Sequence, residues 1–521
     1  MHENPNRREV LKGAIGAGLL ARLRPDLIVA NELPPVRQPQ LIRQENERPG
    51  TRAWLLTNTR VDPKTKCRCP WIEGYCSHTS IRAGETLQIM VSTAPASRFT
   101  IDVYRLGYYQ GHGGRLMREL GSFQGTPQKD PEPGDMHVLE CDWEPAVAFS
   151  IPSDWPSGVY VGKLTAETDG VQSYVIFVVR DDRPCDFLFQ CSDATWQAYN
   201  RWPDTHSLYR WPDGLEKPRK GRSYTGPDVK VSFDRPYGKY HQITDAPLCQ
   251  GSGEFLLWEF PIAFWMEKEG YDVSYVGNLD THVDGTDALR RAKAFFSNGH
   301  DEYWTRAMYD SVLGAVHRGM NAAFLSGDTC WGLIASSPSH RGVPNRVITR
   351  IGQFGPIEDR LAEQTPEVKR FAATAPTEAD LIGARNTFPI TGVADWICTA
   401  ADHWLYKGTG MKNGDRIPNL IGWEWMGKPA DKQGLRVVAS GTTFDGTYEG
   451  EYAATVYPGP KGNQVFNAAT IWWGDGLSAP PGHVGPTFKM RGQPSRSPAG
   501  PDARVQRMMA NLCNRFRDGA R

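Results

Sequence analysis

The chain has 521 residues, with 59 Lys+Arg against 59 Asp+Glu and a formal net charge of zero. That balance excludes a basic field able to recruit nucleic acid or anionic lipid, and no apolar run reaches the length of a membrane span. Hydrophobic residues make up 40% and charged residues 23%, an ordinary globular composition, and the length exceeds what one core serves, so two domains or more are expected.

Asn6-Arg7-Arg8-Glu9-Val10-Leu11-Lys12 fits the twin-arginine export pattern and precedes a Gly/Ala-rich stretch from Gly13 to Ala21. Arg22-Leu23-Arg24 interrupts that mild apolar region. The bland alternative is a chance basic N-terminus before an irregular arm. Residues 1–30 read as a signal region and 31–45 as a linker, which predicts a periplasmic or secreted protein. The twin-arginine route carries folded proteins, so the signal also hints at a metal loaded before export.

From residue 46 to 180 the pattern is β. In Phe99-Thr100-Ile101-Asp102-Val103 apolar and polar side chains alternate, as in a half-buried strand. Thr86 to Val91 and Gly158 to Thr165 read similarly, whereas Tyr174 to Val179 is apolar on both faces. Short strands punctuated by turns such as Asp154-Trp155-Pro156-Ser157-Gly158 predict a β-sandwich. Gly111-His112-Gly113-Gly114 has no helix after it and no Lys-Ser/Thr, so it is not a phosphate loop. Cys67, Cys69 and Cys76 lack a fourth zinc ligand at usual spacing; export would favour a disulfide, and buried unpaired thiols are the other reading.

Asp181-Asp182-Arg183-Pro184 reads as a hinge, after which strands and helices alternate. Short apolar runs occur at Phe187–Phe189, Val273–Val276, Ala292–Phe296 and Ala322–Leu325. Between the last two, Thr305 can cap a helix, Met308, Val312, Ala315 and Val316 give it one apolar face, and Gly319 can stop it. Leu256 to Glu269 reads as another helix, broken or restarted at Pro261. Strand–helix–strand units at this spacing predict a doubly wound α/β domain over 181–521 with long insertions, including Arg210 to Gly226.

In such a sheet, ligands collect at the carboxyl ends of the strands. Three segments fall there: Cys191 to Asn200, Gly299-His300-Asp301-Glu302, and Ser326-Gly327-Asp328-Thr329-Cys330-Trp331. Val231 to Tyr237 joins them as a fourth piece. The edge is rich in Tyr, His, Asp and Glu. Spacing alone makes it only a candidate site, because a Tyr beside Trp is more often a packed aromatic and a lone Glu more often a surface charge.

These stretches carry a resemblance. Ile72-Glu73-Gly74-Tyr75, Tyr104 to Tyr109, Thr195-Trp196-Gln197-Ala198-Tyr199-Asn200, Phe233-Asp234-Arg235-Pro236-Tyr237, Gly299 to Trp304, His403 to Gly410 and Gly422-Trp423-Glu424-Trp425 resemble the family of N,N-dimethylformamidase large (β) subunits. The resemblance implies a β-sandwich followed by a glutamine-amidotransferase-like α/β domain, and a mononuclear iron site, Fe(III), built by two tyrosines and a glutamate. Carried over, Tyr199 is the first phenolate ligand, Glu302 the carboxylate and Tyr237 the second phenolate, with Tyr240 and Tyr209 as rivals. His300 is a proton carrier, and Glu424 a further acid–base candidate. Asp328 stands where the family more often shows Asn, which bears on how an amide substrate is positioned.

Hard oxygen donors suit a hard ferric ion, and three anionic ligands offset its charge in a low-dielectric pocket. Metal binding would lower the tyrosine pKa well below ~10. The implied reaction is hydrolysis of a small N-substituted amide, and the family's enzyme also has a small partner subunit. A homo-oligomer is a further expectation. Two rivals stand beside it: a cysteine hydrolase using Cys330 with His317 or His300, although Asp328 occupies the position where a nucleophile elbow needs Gly, and a non-catalytic exported protein that binds glycans or polymer through its Trp residues.

Overall fold

The computed structural model describes residues 37–215, 224–240, 244–357, 359–371, 375–490 and 492–519. The expected signal region 1–30, and the middle of the insertion that begins at Arg210, lie outside them. Eight strands come first: β1 (Glu73–Cys76), β2 (Ser80–Arg82), β3 (Thr86–Ser92), β4 (Ser97–Leu106), β5 (Gly114–Gly125), β6 (Pro145–Ser150), β7 (Gly158–Ala166) and β8 (Gln172–Arg180). They form two sheets, in the orders β1-β3-β6 and β2-β8-β7-β4-β5. The alternation read in Phe99–Val103 is what joins them: Phe99, Ile101 and Val103 point inward while Thr100 and Asp102 stay half-buried. Ile89 and Phe149 of the smaller sheet share one core with Ile101, Leu164 and Phe177 of the larger, the arrangement of a sandwich. The glycine-rich turn before β5 holds no helix other than a short 3-10 turn at Tyr109–Gly111.

After β8 strands alternate with helices. The following strands are β9 (Cys185–Cys191), β10 (Lys230–Ser232), β11 (Val273–Gly277), β12 (Ala292–Gly299), β13 (Tyr303–Thr305), β14 (Asn321–Ser326), β15 (Gly332–Ser337), β16 (Val347–Gln353), β17 (Thr391–Ile397), β18 (Arg416–Glu424), β19 (Arg436–Phe444), β20 (Glu449–Pro458) and β21 (Gln464–Asn467). Nine of them make one mixed sheet ordered β11-β9-β12-β14-β21-β20-β19-β17-β18. The first five are parallel, and the other four extend it antiparallel. A purely parallel, doubly wound sheet was the expectation; the antiparallel half is the correction. β18 and β20 begin with alternating burial, as at Glu449 to Tyr452, and become buried on both faces further along. A smaller sheet, β10-β16-β15-β13, packs alongside.

The helices follow local chemistry. Arg306–Arg318 is capped by Thr305, whose hydroxyl accepts from the Met308 amide, and is ended by Gly319 at φ 110°, a left-handed position that favours glycine. Pro261 opens the helix Phe260–Lys268 rather than breaking one; the preceding turn, Phe255–Glu259, is π-helical. A proline in the first helical turn loses no hydrogen bond that the helix would have made. All ten cysteines are buried thiols, so of the two readings open for Cys67, Cys69 and Cys76 the structure carries the unpaired one. Among the described residues, no helix is long and apolar enough to cross a membrane.

Candidate active site

The parallel strands deliver their chemistry to one edge. β9 runs into the buried helix Asp193–Tyr199, which ends on Tyr199. β12 ends at Gly299, and His300, Asp301 and Glu302 follow before β13. β14 leads into Gly327 and Asp328, and the antiparallel β18 ends on Glu424. Two glycines allow these ends to converge. A Cβ on Gly299 (φ 66°) would lie 2.7 Å from the Glu259 side chain, and one on Gly327 would lie 2.2 Å from the Glu424 carbonyl. The close approach at Gly327 brings the Asp328 turn against the end of β18.

A hydrogen-bonded frame fixes the loops. The Thr195 hydroxyl accepts from the Glu302 and Tyr303 amides at 3.1 and 3.3 Å. Asp301, between the two functional residues, turns away: its carboxylate accepts from Gln190, Ser297 and Asn278. Arg235 is fully buried and donates to Gln197 Oε1 and to the carbonyls of Asn200, Trp202 and His206. It therefore staples the irregular segment that carries Tyr199 and Tyr209.

Within this frame the oxygens and the imidazole meet. Tyr199 Oη donates to Glu302 Oε2 at 2.7 Å. Tyr209 Oη lies 2.8 Å from Tyr199 Oη and 3.1 Å from Glu302 Oε1, and Tyr303 Oη donates to Tyr209 Oη at 2.6 Å. His300 Nε2 is 2.8 Å from Glu424 Oε2 and 3.2 Å from Glu302 Oε2, and Nδ1 is 3.7 Å from Glu254 Oε2. None of these His300 contacts is aligned as a hydrogen bond, since both ring nitrogens and Glu424 Oε2 lack a partner of proper geometry. They are ion-pair distances. His300, Glu302 and Glu424 are all buried, with ligand atoms within 4.8 Å of one another, so this group could hold a metal. Trp423 closes over it, its ring 5.2 Å from that of His300.

Burial sets the protonation states. Burial would strip the proton from His300, but Glu424, Glu254 and Glu302 outweigh it and hold the imidazole well above its ordinary range. Burial pushes Glu424 up to about 7, against the pull of His300. Burial and the Glu424 and Glu302 charges push Asp328 well above the usual carboxylate range, so it carries a proton. Burial and then Glu302 keep the Tyr199 phenol protonated. Arg350 supplies counter-charge: it is buried, 4.2 Å from the Trp331 ring, and the neighbouring Tyr303, Tyr209, Glu302 and Asp328 hold it charged despite burial.

The structure thus brings together Tyr199, Glu302, His300, Glu424 and Asp328. It does not bring Tyr237 to them. That side chain packs against the edge of Trp196 and lines a small cleft with Tyr75, Cys76 and Phe233. The turn after Arg235 is directed by the Asn200 side chain, which donates to the Pro236 carbonyl and accepts from Gly238, away from Glu302. Both rival tyrosines lie nearer. Tyr209 belongs to the hydroxyl chain. Tyr240 is buried, feels the charges of Glu254, Glu424 and Glu302, and its hydroxyl has no partner among the described residues. Leaving such a group unpaired costs about 1–3 kcal/mol.

Cys330 is fully buried, does not line the cavity, and burial raises its thiol well above the ordinary range. His317 lies exposed on the helix Arg306–Arg318. A thiolate nucleophile is not available there. Sequence reasoning missed Glu254, Tyr303 and Arg350. Glu254 follows Gly251-Ser252-Gly253 and precedes an apolar run, and that interruption is the one signal that could have drawn attention to it.

Of these groups, Tyr199, Tyr209, Glu302, Asp328 and Glu424 form the floor of a cavity of about 700 Å³. The donor set fits a hard cation: phenol oxygens and carboxylates dominate, and the Tyr240 hydroxyl and Glu424 Oε2 are orphaned. Residues 100–486 match the family described as N,N-dimethylformamidase beta subunit-like, C-terminal. No curated protein matches the chain. The match spans most of the chain, and the protein belongs to this family.

Proposed function

We propose that this member of the N,N-dimethylformamidase β-subunit-like family is an amidohydrolase that cleaves a small N-substituted amide at a mononuclear iron centre, Fe(III). The observation that carries the reading is the convergence of Tyr199, Glu302, His300 and Glu424 in one buried cluster at the cavity floor. Tyr199, Glu302 and Tyr240 would hold the iron. Tyr240 replaces Tyr237 because its buried hydroxyl lacks a partner among the described residues and lies within the field of Glu302 and Glu424. A glutamine-amidotransferase-like ancestry for the α/β part is supported by its five parallel strands and by the site at their carboxyl ends. Twin-arginine export to the periplasm or beyond belongs to the same proposal and rests on residues 6–12.

When bound, the ferric ion supplies Lewis acidity toward the substrate carbonyl and the attacking water. The chain's own groups move the proton. Hydrolysis adds water across the C–N bond, so one proton must pass from water to the departing amine nitrogen. Glu424, poised by burial at about 7, takes it as general base. His300, held as the imidazolium 2.8 Å away, stabilises Glu424 as the carboxylate that receives the proton. Asp328, kept protonated, donates a hydrogen bond where the family more often presents an amide. Trp423 and Trp331 line the cavity and keep bulk water from the floor.

Protein purified after native export, assayed for metal and for amine release from N-substituted formamides, tests the proposal. One iron per chain and measurable turnover are expected, with both lost in Glu302→Gln. Full turnover in Glu302→Gln, or in protein stripped of iron, contradicts it.

A further inference from the structure

We propose that the substrate carries a carboxylate remote from its amide, and that Arg210 receives it on the cavity wall. The inference rests on the amidohydrolase reading and extends it to the substrate class. Volume is the first observation. A cavity of about 700 Å³ lies in the range that encloses drug-sized ligands, and the smallest dialkylformamides would leave most of it to water.

Charge is the second. Arg210 lines the cavity, yet its Nη1 meets only His206 Nε2, at 2.7 Å. Burial and the guanidinium groups of Arg210 and Arg235 hold His206 down at about 4, so it is neutral and accepts the bond. Among the described residues no carboxylate pairs with Arg210, and its buried Nε lacks an acceptor. Arg201 adds a second positive charge to the same wall. Asp213, the acid on that wall, is turned toward solvent and lies 3.9 Å from His137 Nδ1.

The cavity is therefore polarised. Its floor holds Glu302, Glu424 and Asp328, and its half-exposed wall holds Arg201 and Arg210. A guanidinium recognises a carboxylate through paired, charge-assisted hydrogen bonds. With the amide end taken at the floor, Arg210 on the wall gives an anionic tail a separate anchor and so sets the direction of entry. The apolar walls, Trp331, Trp423 and Ile390, fit the chain between the two ends.

Calorimetric binding on the purified, metal-containing protein tests this without requiring turnover. The probes are N-formyl ω-amino acids of increasing chain length, each compared with its carboxamide. At one or more lengths the carboxylate is expected to bind about tenfold tighter or more. Arg210→Gln should weaken the acid about tenfold more than its carboxamide and so remove that preference, and Arg210→Lys should retain part of it. Equal binding of acid and carboxamide, equal weakening of both in Arg210→Gln, or no binding by any probe overturns the inference. Turnover of neutral formamides alongside any of these results would leave the hydrolase reading intact. A preference for carboxylates without any turnover would sink the hydrolase reading alone.

Discussion

Two buried charge clusters in this molecule can be set side by side. One joins the sandwich to the α/β region: Arg105 on β4 and Glu267 in the helix Phe260–Lys268, both fully buried. Their two contacts are 2.8 and 3.0 Å; Arg105 also donates to the Ser157 carbonyl, and Glu267 accepts from Tyr275 and Asn46. Every strong hydrogen-bonding direction is used. The other cluster surrounds His300, where His300, Glu254, Glu424 and Tyr240 all keep unpartnered polar atoms. A satisfied network specifies structure, whereas an unsatisfied one costs stability and is retained where something else completes it. Burial alone does not separate the two; hydrogen-bond completeness does.

Substitutions sharpen this contrast. Glu424→Gln should lower kcat by about 10²–10⁴-fold while folding stays intact. In the wild type, kcat/KM should fall as the pH drops through about 7, because the base is lost on protonation. A variant that kept both the rate and that acid limb would break the assignment. Glu267→Ala, by contrast, should cost about 3–5 kcal/mol in denaturant unfolding by leaving Arg105 unpaired, with little change in kcat for the protein that remains folded. A large kcat effect without destabilisation would erase the distinction between the clusters.

Smaller effects separate the tyrosines. Tyr240→Phe should abolish the visible phenolate absorption and release iron, whereas Tyr209→Phe should keep the band and lower kcat about tenfold through loss of its bonds to Glu302 and Tyr199. The opposite pattern would exchange their roles. The smallest effect is expected at Asp193, buried beside Asp280, whose carboxyl is raised from 3.8 to about 7. Its folded pKa exceeds the unfolded one, so its contribution to stability is full below about 3.8 and is lost as the pH rises toward 7. Asp193→Asn should therefore raise stability by on the order of 1 kcal/mol at pH 8 and less at pH 5, measured by thermal unfolding. Equal shifts at both pH values would contradict it.

Much of this was legible where one strong local signal acted. The Thr305 cap, the apolar face of Met308, Val312, Ala315 and Val316, and Gly319 located a helix closely. Tyr199, His300 and Glu302 could be placed because each follows a buried parallel strand. That Tyr237 lies apart from Glu302 could not be read, because the sequence from 200 to 240 carries almost no periodicity; the path beside it is fixed by Arg235 and Asn200, through bonds to carbonyls that no spacing reveals. The antiparallel half of the large sheet escaped notice because a pairing such as β17 with β19, which skips β18 in the chain, leaves no local mark. Glu254 reads as a turn residue until the fold brings His300 within 3.7 Å.

The central claim is that Tyr199 and Glu302 face a shared ferric ion. Anomalous diffraction at the iron absorption edge, on crystals of iron-replete protein, tests it most directly. A single strong peak within coordinating reach of Tyr199 Oη and the Glu302 carboxylate is predicted. A peak elsewhere, for instance beside Cys67 and Cys69, or none at this floor in protein shown to turn over amides, would contradict the account.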